Sequence, residues 1–362
     1  MHTQAILLCT LGLACVSAAS QARFRVVTFN IHAFRTAEHA DNLESVFKVL
    51  EREQPDVVCL NEVIEPFAAP DPEDPYWREV RERRGVGCAC PPGSRPEDPA
   101  ATALARLSGA LRLKHCVFGV ANEGGFFGPF PFGNAILSRY ELVDVRHELM
   151  RVTDADLTLG AQSRTRADLE DRGVTTARVL LPGGAGALGV AVVHLDHKAE
   201  ELRERQIREA IDHCDASFAD RLPYLLMGDL NTFDRRDLTD EGWADICGLY
   251  AERGWPPPLP RSLVQQALRR AGFVDAWAVQ EAARGARPPP TCWTKTRLDY
   301  VLLSRSAAGG RAEGDEQDGG ATGLPAARRR RPLRVISHRT LQCDASDHLP
   351  VVIDLEVDGA SV

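Results

Sequence analysis

Apolar residues gather along the chain in short runs that are separated by polar segments. The six clearest runs are rich in Val, Leu and Ile and have the length of β-strands: residues 25–29, 56–60, 188–193, 222–227, 298–303 and 350–355. They are almost continuously apolar, which is typical of strands that are buried on both faces. The sequence therefore predicts β-strands in the interior of the protein.

Three further segments carry apolar residues at helical spacing. They comprise residues 43–50, which stop before Pro55, residues 199–219, and residues 263–268, which are closed by Gly272. Because these segments are interspersed among the predicted strands, we expect sheets that are covered by helices.

Two stretches interrupt this pattern. Residues 66–99 contain eight prolines in 34 positions, which indicates a loop. Residues 304–332 are rich in Gly and mixed charges without an apolar period, which predicts a disordered insertion. The four arginines at 328–331 are interpreted as a solvated run, with a role in nucleic-acid binding or localisation as the alternative.

The N-terminus is the only candidate for a targeting segment. Residues 1–22 lack Lys, Arg, Asp and Glu, and the apolar run at 5–19 is about 15 residues long. That length suits a signal peptide better than a membrane span, which needs roughly 20 residues. We expect secretion or entry into the endomembrane system and no stable membrane span. The alternative is an intracellular protein with a short buried leader.

Composition narrows the class of protein. Hydrophobic residues make up 44% of the 362 positions and charged residues 26%, which excludes a mostly disordered chain, a collagen-like fibre and a disulfide mini-protein. The net charge of −8 disfavours a strong electrostatic grip on long nucleic acid unless a local basic patch supplies it.

Polar residues follow four of the predicted strands at the point where each strand ends. Asn30, Glu62, His194 and Asp229 take these positions, and Asn231 comes two residues after Asp229. In α/β proteins, ligands bind at the carboxyl ends of strands. We therefore expect these side chains to share one pocket.

Asp299 lies inside an apolar strand, where a carboxylate needs a partner. His348 is a suitable one, because a buried Asp–His pair fixes the imidazole tautomer and raises its basicity. The oxygen ligands of Glu62, Asp229 and Asp347 suit Mg²⁺ or Mn²⁺ better than zinc. A hard metal, histidines and amide donors together match the needs of phosphoryl chemistry.

The polar motifs occur in the order found in one known group of proteins. They are Thr28-Phe29-Asn30, Leu60-Asn61-Glu62, Val193-His194-Leu195-Asp196-His197, Gly228-Asp229-Leu230-Asn231, Arg297-Leu298-Asp299-Tyr300 and Ser346-Asp347-His348-Leu349-Pro350. From about residue 25 to residue 357, the chain resembles the endonuclease/exonuclease/phosphatase (DNase I-like) superfamily. The resemblance implies an α/β four-layer αββα sandwich, in which two mixed β-sheets pack face to face with helices outside. It also implies one domain over residues 23–362.

The resemblance implies Mg²⁺-dependent cleavage of phosphoester bonds, with Mn²⁺ as the alternative metal. Glu62 would be the main metal ligand, with Asn30 and Asp347 close by. The family usually carries Gln before this Glu, whereas this chain has Asn61, which is one methylene shorter.

The same resemblance assigns the catalytic roles. Asp229 would orient or deprotonate the attacking water, and Asn231 would hold the phosphate. His348, paired with Asp299, would act in acid/base catalysis or polarise the phosphate. His194 would lie on the side of the phosphate or leaving group.

Other polar residues keep two interpretations. Asp196 either caps the following helix or belongs to the site, and His197 is either solvated or part of the site. Arg172 lies either near the pocket or in a surface ion pair. The Phe-rich residues 124–133 are expected to form a loop whose rings are buried, with contact to lipid or bases as the alternative.

We expect a metal-dependent phosphodiesterase and favour a nucleic acid or nucleotide as the substrate. The alternatives are a hydrolase of phospholipids or inositol phosphates and, in another class, an inactive binding protein on this fold. No obligate protein partner is inferred.

Overall fold

The computed structural model describes residues 22–36, 40–64, 102–125, 128–158, 169–182, 186–281, 286–309 and 333–357. In these residues, twelve strands form two six-stranded sheets. The first sheet contains β1 (Ala22–Asn30), β2 (Val57–Ile64), β3 (His115–Gly125), β4 (Gly128–Ser138), β11 (Leu333–Thr340) and β12 (Val351–Val357). The second contains β5 (Leu142–Met150), β6 (Arg172–Leu180), β7 (Ala187–His194), β8 (Tyr224–Asp229), β9 (Val274–Asp275) and β10 (Asp299–Leu303).

Both sheets are mixed. The strand order is β11-β12-β1-β2-β4-β3 in the first sheet and β5-β6-β7-β8-β10-β9 in the second. Strands β1 and β2 are parallel, as are β7 and β8, and the other neighbouring strands are antiparallel. Each parallel pair brings two carboxyl ends to the same edge of its sheet.

Six helices accompany the sheets within the described residues. They are α1 (Leu43–Glu53), α2 (Ala103–Ala110), α3 (Glu200–Ser217), α4 (Asp240–Glu252), α5 (Leu263–Arg270) and α6 (Ala276–Glu281). Helices α1 and α2 pack their apolar faces on the outer side of the first sheet, and α3 and α5 do so on the second. Helix α4 packs in a smaller cluster with Phe233, Cys292 and Leu298, beside the carboxyl end of β8.

The largest core cluster lies between the two sheets. It joins Val26 and Cys59 of the first sheet to Val190 and Leu225 of the second, all of them inaccessible to solvent. The order of layers is therefore helix, sheet, sheet, helix. The predicted α/β four-layer sandwich is confirmed, and all the predicted strands and helices are present with small shifts at their ends.

The Phe-rich residues 124–133 correct one prediction. Residues 128–133 do not form a loop; they extend β4, which pairs with β3 as far as Gly128.

Other predictions fall partly or wholly outside the described residues. The leader at 1–22 (described only from residue 22), most of the proline-rich stretch at 66–99 and residues 310–332 of the insertion lie there. Residues 304–309 are described; Ser304 and Ala307 are buried, so the predicted insertion starts too early. Among the described residues, no helix has the length and apolar character needed to cross a bilayer.

Candidate active site

A cleft of about 440 Å³ opens where the carboxyl ends of the two parallel strand pairs meet. Its walls include six of the eight predicted site residues: Glu62, His194, Asp229, Asn231, Asp347 and His348. The remaining two, Asn30 and Asp299, are buried and hydrogen-bonded to residues of the wall. The structure thus brings all the predicted residues into one site, as expected from their places at strand ends.

Asn30 joins the two carboxylates at the base of the cleft. Its Nδ2 donates to Glu62 Oε1 and to Asp229 Oδ2, both at 3.0 Å. Its Oδ1 accepts from the backbone nitrogen of His32 at 3.1 Å, which fixes the orientation of the amide. Asn30 therefore holds one carboxylate from each sheet at a fixed separation.

Glu62 reaches the cleft through an irregular backbone. The ladder between β2 and β4 shifts register between Leu60 and Val63, and Glu62 has a φ of 55°, in the left-handed region. Burial raises the pKa of its carboxyl, and the hydrogen bond from Asn30 opposes this shift. Asp347 raises this pKa further, whereas the neighbouring His348 lowers it, so the negative charge of Glu62 is only partly compensated.

Asp229 is the residue on which the two histidines converge. Its Oδ2 lies 3.6 Å from Nε2 of His194 and 3.7 Å from Nε2 of His348. Burial raises the pKa of Asp229 to about 7, although His348 and the donors from Asn231 and Asn30 lower it.

The predicted pairing of Asp299 with His348 is confirmed. His348 Nδ1 lies 2.8 Å from Asp299 Oδ2, and both side chains are buried. Asp299 is the register partner of Asp229, so the pair stands directly beside the central carboxylate. Burial works against the imidazolium, but Asp299 and Asp229 outweigh it and raise the pKa of His348 well above its usual range.

Asn231 follows β8 with a φ of 48°. Its backbone nitrogen donates to Asp229 Oδ1 at 2.8 Å, and its Nδ2 donates to the carbonyl oxygen of Leu195 at 3.1 Å. Two bonds therefore hold this amide at the wall of the cleft.

Arg172 lies in the site, where it also forms an ion pair: its Nη2 is 3.1 Å from Oε2 of the half-buried Glu170, which lines the cleft. Arg172 is 3% exposed at the start of β6, and its Nη1 donates to Nδ1 of His194 at 3.3 Å. A guanidinium can only donate, so Nδ1 accepts and the proton of His194 sits on Nε2, facing Asp229. Burial, helped by the Arg172 charge, lowers the pKa of His194 well below its usual range.

Asp196 and His197 have different surroundings. Asp196 Oδ1 accepts from the backbone nitrogens of Lys198 and Ala199 and so fixes the turn that precedes α3, but the N-cap residue of α3 is Ala199 and not Asp196. His197 is not simply solvated. It lines the cleft, lies 3.5 Å from Arg172 and packs edge-on against Trp255.

Asn61 connects the two sheets directly behind the site. Its Nδ2 donates to Asn134 Oδ1 at 2.8 Å and to the carbonyl oxygen of Val193 at 3.0 Å, and its Oδ1 accepts from the backbone nitrogen of Asp229 at 3.0 Å. Gly228 favours this approach, because a Cβ atom there would lie 3.1 Å from Asn61 Oδ1 of the other sheet and, within its own sheet, 2.0 Å from the Val193 carbonyl oxygen. The shorter amide at this position therefore fits a narrow space between the sheets.

The donor set fits a divalent cation. Ligand atoms of Glu62, His194 and Asp229 lie within 4.8 Å of one another. Two of these groups are carboxylates, the half-buried Glu62 and the buried Asp229, and carboxylates suit a hard metal. Asp347 lines the same cleft, whereas Asn30 presents its nitrogen, not its oxygen, to the carboxylates.

Sequence reasoning missed an aromatic wall on the far side of the cleft, formed by Tyr250, Trp255 and Trp293 together with Arg253. Tyr250 and Arg253 come from the end of α4 and the residue after it, and Trp293 from the turn at residues 292–295. The only available signal was the presence of tryptophan in polar segments, which by itself indicates no site.

Comparison with known proteins agrees with this geometry. A model of the Endonuclease/Exonuclease/phosphatase family matches residues 27–348. A Beutenbergia cavernae endonuclease/exonuclease/phosphatase structure is similar, with 24% identity, a TM-score of 0.58 and coverage of 93% of this chain and 72% of that one. The human Nocturnin catalytic domain has 16% identity and a TM-score of 0.51, with 93% and 97% covered. Among proteins of curated function, no sequence matches the chain.

Proposed function

Because the chain belongs to the endonuclease/exonuclease/phosphatase family, we propose that it is a divalent-metal-dependent hydrolase of phosphodiester bonds. The observation that carries the proposal is the convergence at Asp229. One buried carboxylate lies within 4 Å of two histidines and shares the Asn30 amide with a second carboxylate. Few tasks other than phosphoryl transfer need acids, bases and a cation site so close together.

Glu62 and Asp347 would hold the metal, since both line the cleft and the charge of Asp347 raises the pKa of Glu62, a repulsion that a cation would relieve. Mg²⁺ is the best match to this oxygen-rich set, and Mn²⁺ is also compatible because His194 is near. When bound, such an ion neutralises phosphate charge and lowers the pKa of coordinated water.

The chain's own residues supply the other functions. Asp229 is placed to orient the attacking water and accept its proton, because Asn30 and the Asn231 backbone fix both of its oxygens. His348, held by Asp299, presents Nε2 to the same region and is placed to donate to a phosphate oxygen. Asn231 adds an amide at the cleft wall.

The opposite side of the cleft supports binding of an anion. Arg172 and His194 form a buried pair in which His194 Nε2 keeps its proton toward the site. We propose that this pair binds the phosphate oxygens or the leaving group. A phosphodiester carries a single negative charge. It is therefore the substrate best suited to a site that combines two carboxylates with cationic donors.

The test is hydrolysis of a panel that contains single-stranded DNA and RNA, supercoiled plasmid, sphingomyelin vesicles and an inositol phosphate, each with Mg²⁺ and with EDTA. We expect turnover of a phosphodiester with Mg²⁺ only, and its loss in Asp229→Asn. The matched control is Asp212→Asn, the same change at an exposed position of α3. Equal activity of Asp229→Asn and the control would contradict the mechanism, and no turnover of any substrate would favour an inactive binding protein.

A further inference from the structure

The wall opposite the catalytic carboxylates contains an arginine that lies between two tryptophans. Arg253 Cζ is 5.1 Å from the ring centroid of Trp255 and 5.5 Å from that of Trp293. Within the described part of the chain, no carboxylate pairs with this guanidinium. Trp293 still exposes 54% of its surface, although its ring lines the cleft.

A continuous chain of contacts joins these aromatic residues to the catalytic groups. Trp255 packs against His197 with ring centroids 5.4 Å apart, and His197 lies 3.5 Å from Arg172. Arg172 in turn contacts His194, 3.3 Å away. The aromatic wall and the anion-binding side are therefore parts of one binding surface.

On its other side, Trp293 is tied to the loop that carries His348. The backbone nitrogen of Trp293 donates to the carbonyl oxygen of Asp347 at 2.9 Å, and Cys292 forms a β-bridge with His348. Tyr250 packs against Trp255, with ring centroids 5.3 Å apart. The exposed indole of Trp293 therefore has a fixed position relative to the reacting groups.

The chemistry of this wall selects among phosphodiesters. An aromatic pair can bind the quaternary ammonium of a choline headgroup, but here Arg253 already occupies the space between the rings and would repel a second cation. A polyol such as inositol can place C–H groups against an indole but has no π-face. A nucleobase has one, and base–aromatic stacking contributes to binding of single-stranded nucleic acid with little dependence on sequence.

The size and shape of the cleft limit the form of the nucleic acid. Its volume of about 440 Å³ is that of a small-molecule pocket. In a duplex both faces of each base are covered by its neighbours, so only an unpaired base can offer a face to Trp293.

We propose that Trp293 is a stacking platform for an unpaired nucleobase next to the phosphodiester that is cleaved, and that the substrate is a single-stranded nucleic acid. The inference rests on the proposed function and adds the substrate class and the residue that recognises it. Arg253 supports the indole from behind and adds a positive charge near the strand.

The test compares two oligonucleotides with the same backbone, one natural and one in which alternate bases are replaced by tetrahydrofuran abasic residues. We expect the wild-type protein to hydrolyse the natural strand with a kcat/KM about 10- to 100-fold higher. In Trp293→Ala this preference should fall to within threefold of unity, and in Trp293→Phe most of it should remain. Trp243→Ala is the matched control, because Trp243 also contacts an arginine, Arg235, but lies outside the cleft.

A second measurement separates this inference from the proposed function. Binding of the natural and the abasic strand, each carrying a terminal fluorophore, is followed in EDTA by fluorescence anisotropy, so that no hydrolysis is needed. Weaker binding of the natural strand but not of the abasic strand in Trp293→Ala, with folding verified by circular dichroism, supports the platform even if no hydrolysis is found. A base preference that survives in Trp293→Ala overturns the inference. Equal use of duplex and single strand, or vesicle binding that depends on Trp293, also overturns it.

Discussion

Replacing Asn61 with Ala removes the link between the two sheets behind the site. The amide makes three hydrogen bonds, to the Asn134 side chain, the Val193 carbonyl oxygen and the Asp229 backbone nitrogen. All four residues are buried, and the narrow space seen at Gly228 leaves little room for water to replace the amide.

The magnitude follows from the partners that are left behind. A buried donor or acceptor without a partner costs about 1–3 kcal/mol. With three such groups and some local relaxation, we expect the free energy of unfolding to fall by about 4 kcal/mol. That is a large part of the roughly 5–15 kcal/mol that stabilises most proteins.

The assay is urea unfolding followed by circular dichroism, with Cys59→Ala as the control. Cys59 lies two residues away on β2 and is equally buried, but it packs in the apolar core between the sheets. We expect a loss of only about 1 kcal/mol for this control. If Asn61→Ala loses no more stability than Cys59→Ala, the three bonds do not hold the sheets together and the reasoning is wrong.

Four further outcomes are expected. Gly228→Ala should unfold at markedly lower urea concentration, because the glycine has a φ of 135° and its Cβ would meet backbone; an unchanged midpoint would contradict this. His348→Ala should lower kcat by roughly 10²–10⁴-fold, and a rate within threefold of wild type would exclude its role. Glu62→Gln should raise the Mg²⁺ concentration that gives half-maximal activity, and an unchanged value would exclude it as a ligand. Burial lowers the pKa of His147 from 6.5 to about 4. Between these two pH values the unfolded chain therefore binds more protons than the folded one. The free energy of unfolding should fall by roughly 2 kcal/mol as the pH drops through this window. His147→Gln should flatten that slope, as measured by urea unfolding at several pH values.

Much of the site was predictable because its residues directly follow apolar runs. Asn30, Glu62, His194 and Asp229 each occupy the end of a strand whose apolar character is evident in the sequence. The pairing of Asp299 was predictable for another reason, since a carboxylate in an apolar strand needs a partner.

The remaining parts depend on packing between distant segments. Asp196 and His197 are neighbours in sequence, and only the path of the chain into α3 decides that the first fixes the turn before that helix and the second faces the cleft. Trp255 and Trp293 meet at Arg253 because α4 and the turn at 292–295 pack together. No local sequence pattern predicts that the two tryptophans contact the same arginine.

The strand order of the two sheets gives the molecule an internal twofold pseudosymmetry. Read in order, β11-β12-β1-β2-β4-β3 corresponds strand for strand to β5-β6-β7-β8-β10-β9, with the single parallel pair at the same place in each. Asn30 then corresponds to His194, and Asn61 to Asp229, as register partners at the ends of equivalent strands.

The two equivalent residues Asn61 and Asp229 are hydrogen-bonded to each other, so the active site lies on the pseudosymmetry axis. At these matching positions the first half has the amides Asn30 and Asn61, and the second half has the ionisable pair His194 and Asp229. The first half also supplies Glu62 and His348, and the second also supplies Asp299, so each half contributes ionisable groups and neither contains the candidate site alone. Because His348 lies just before β12, which pairs with β1, segments that lie far apart in the sequence must meet before the candidate site can form.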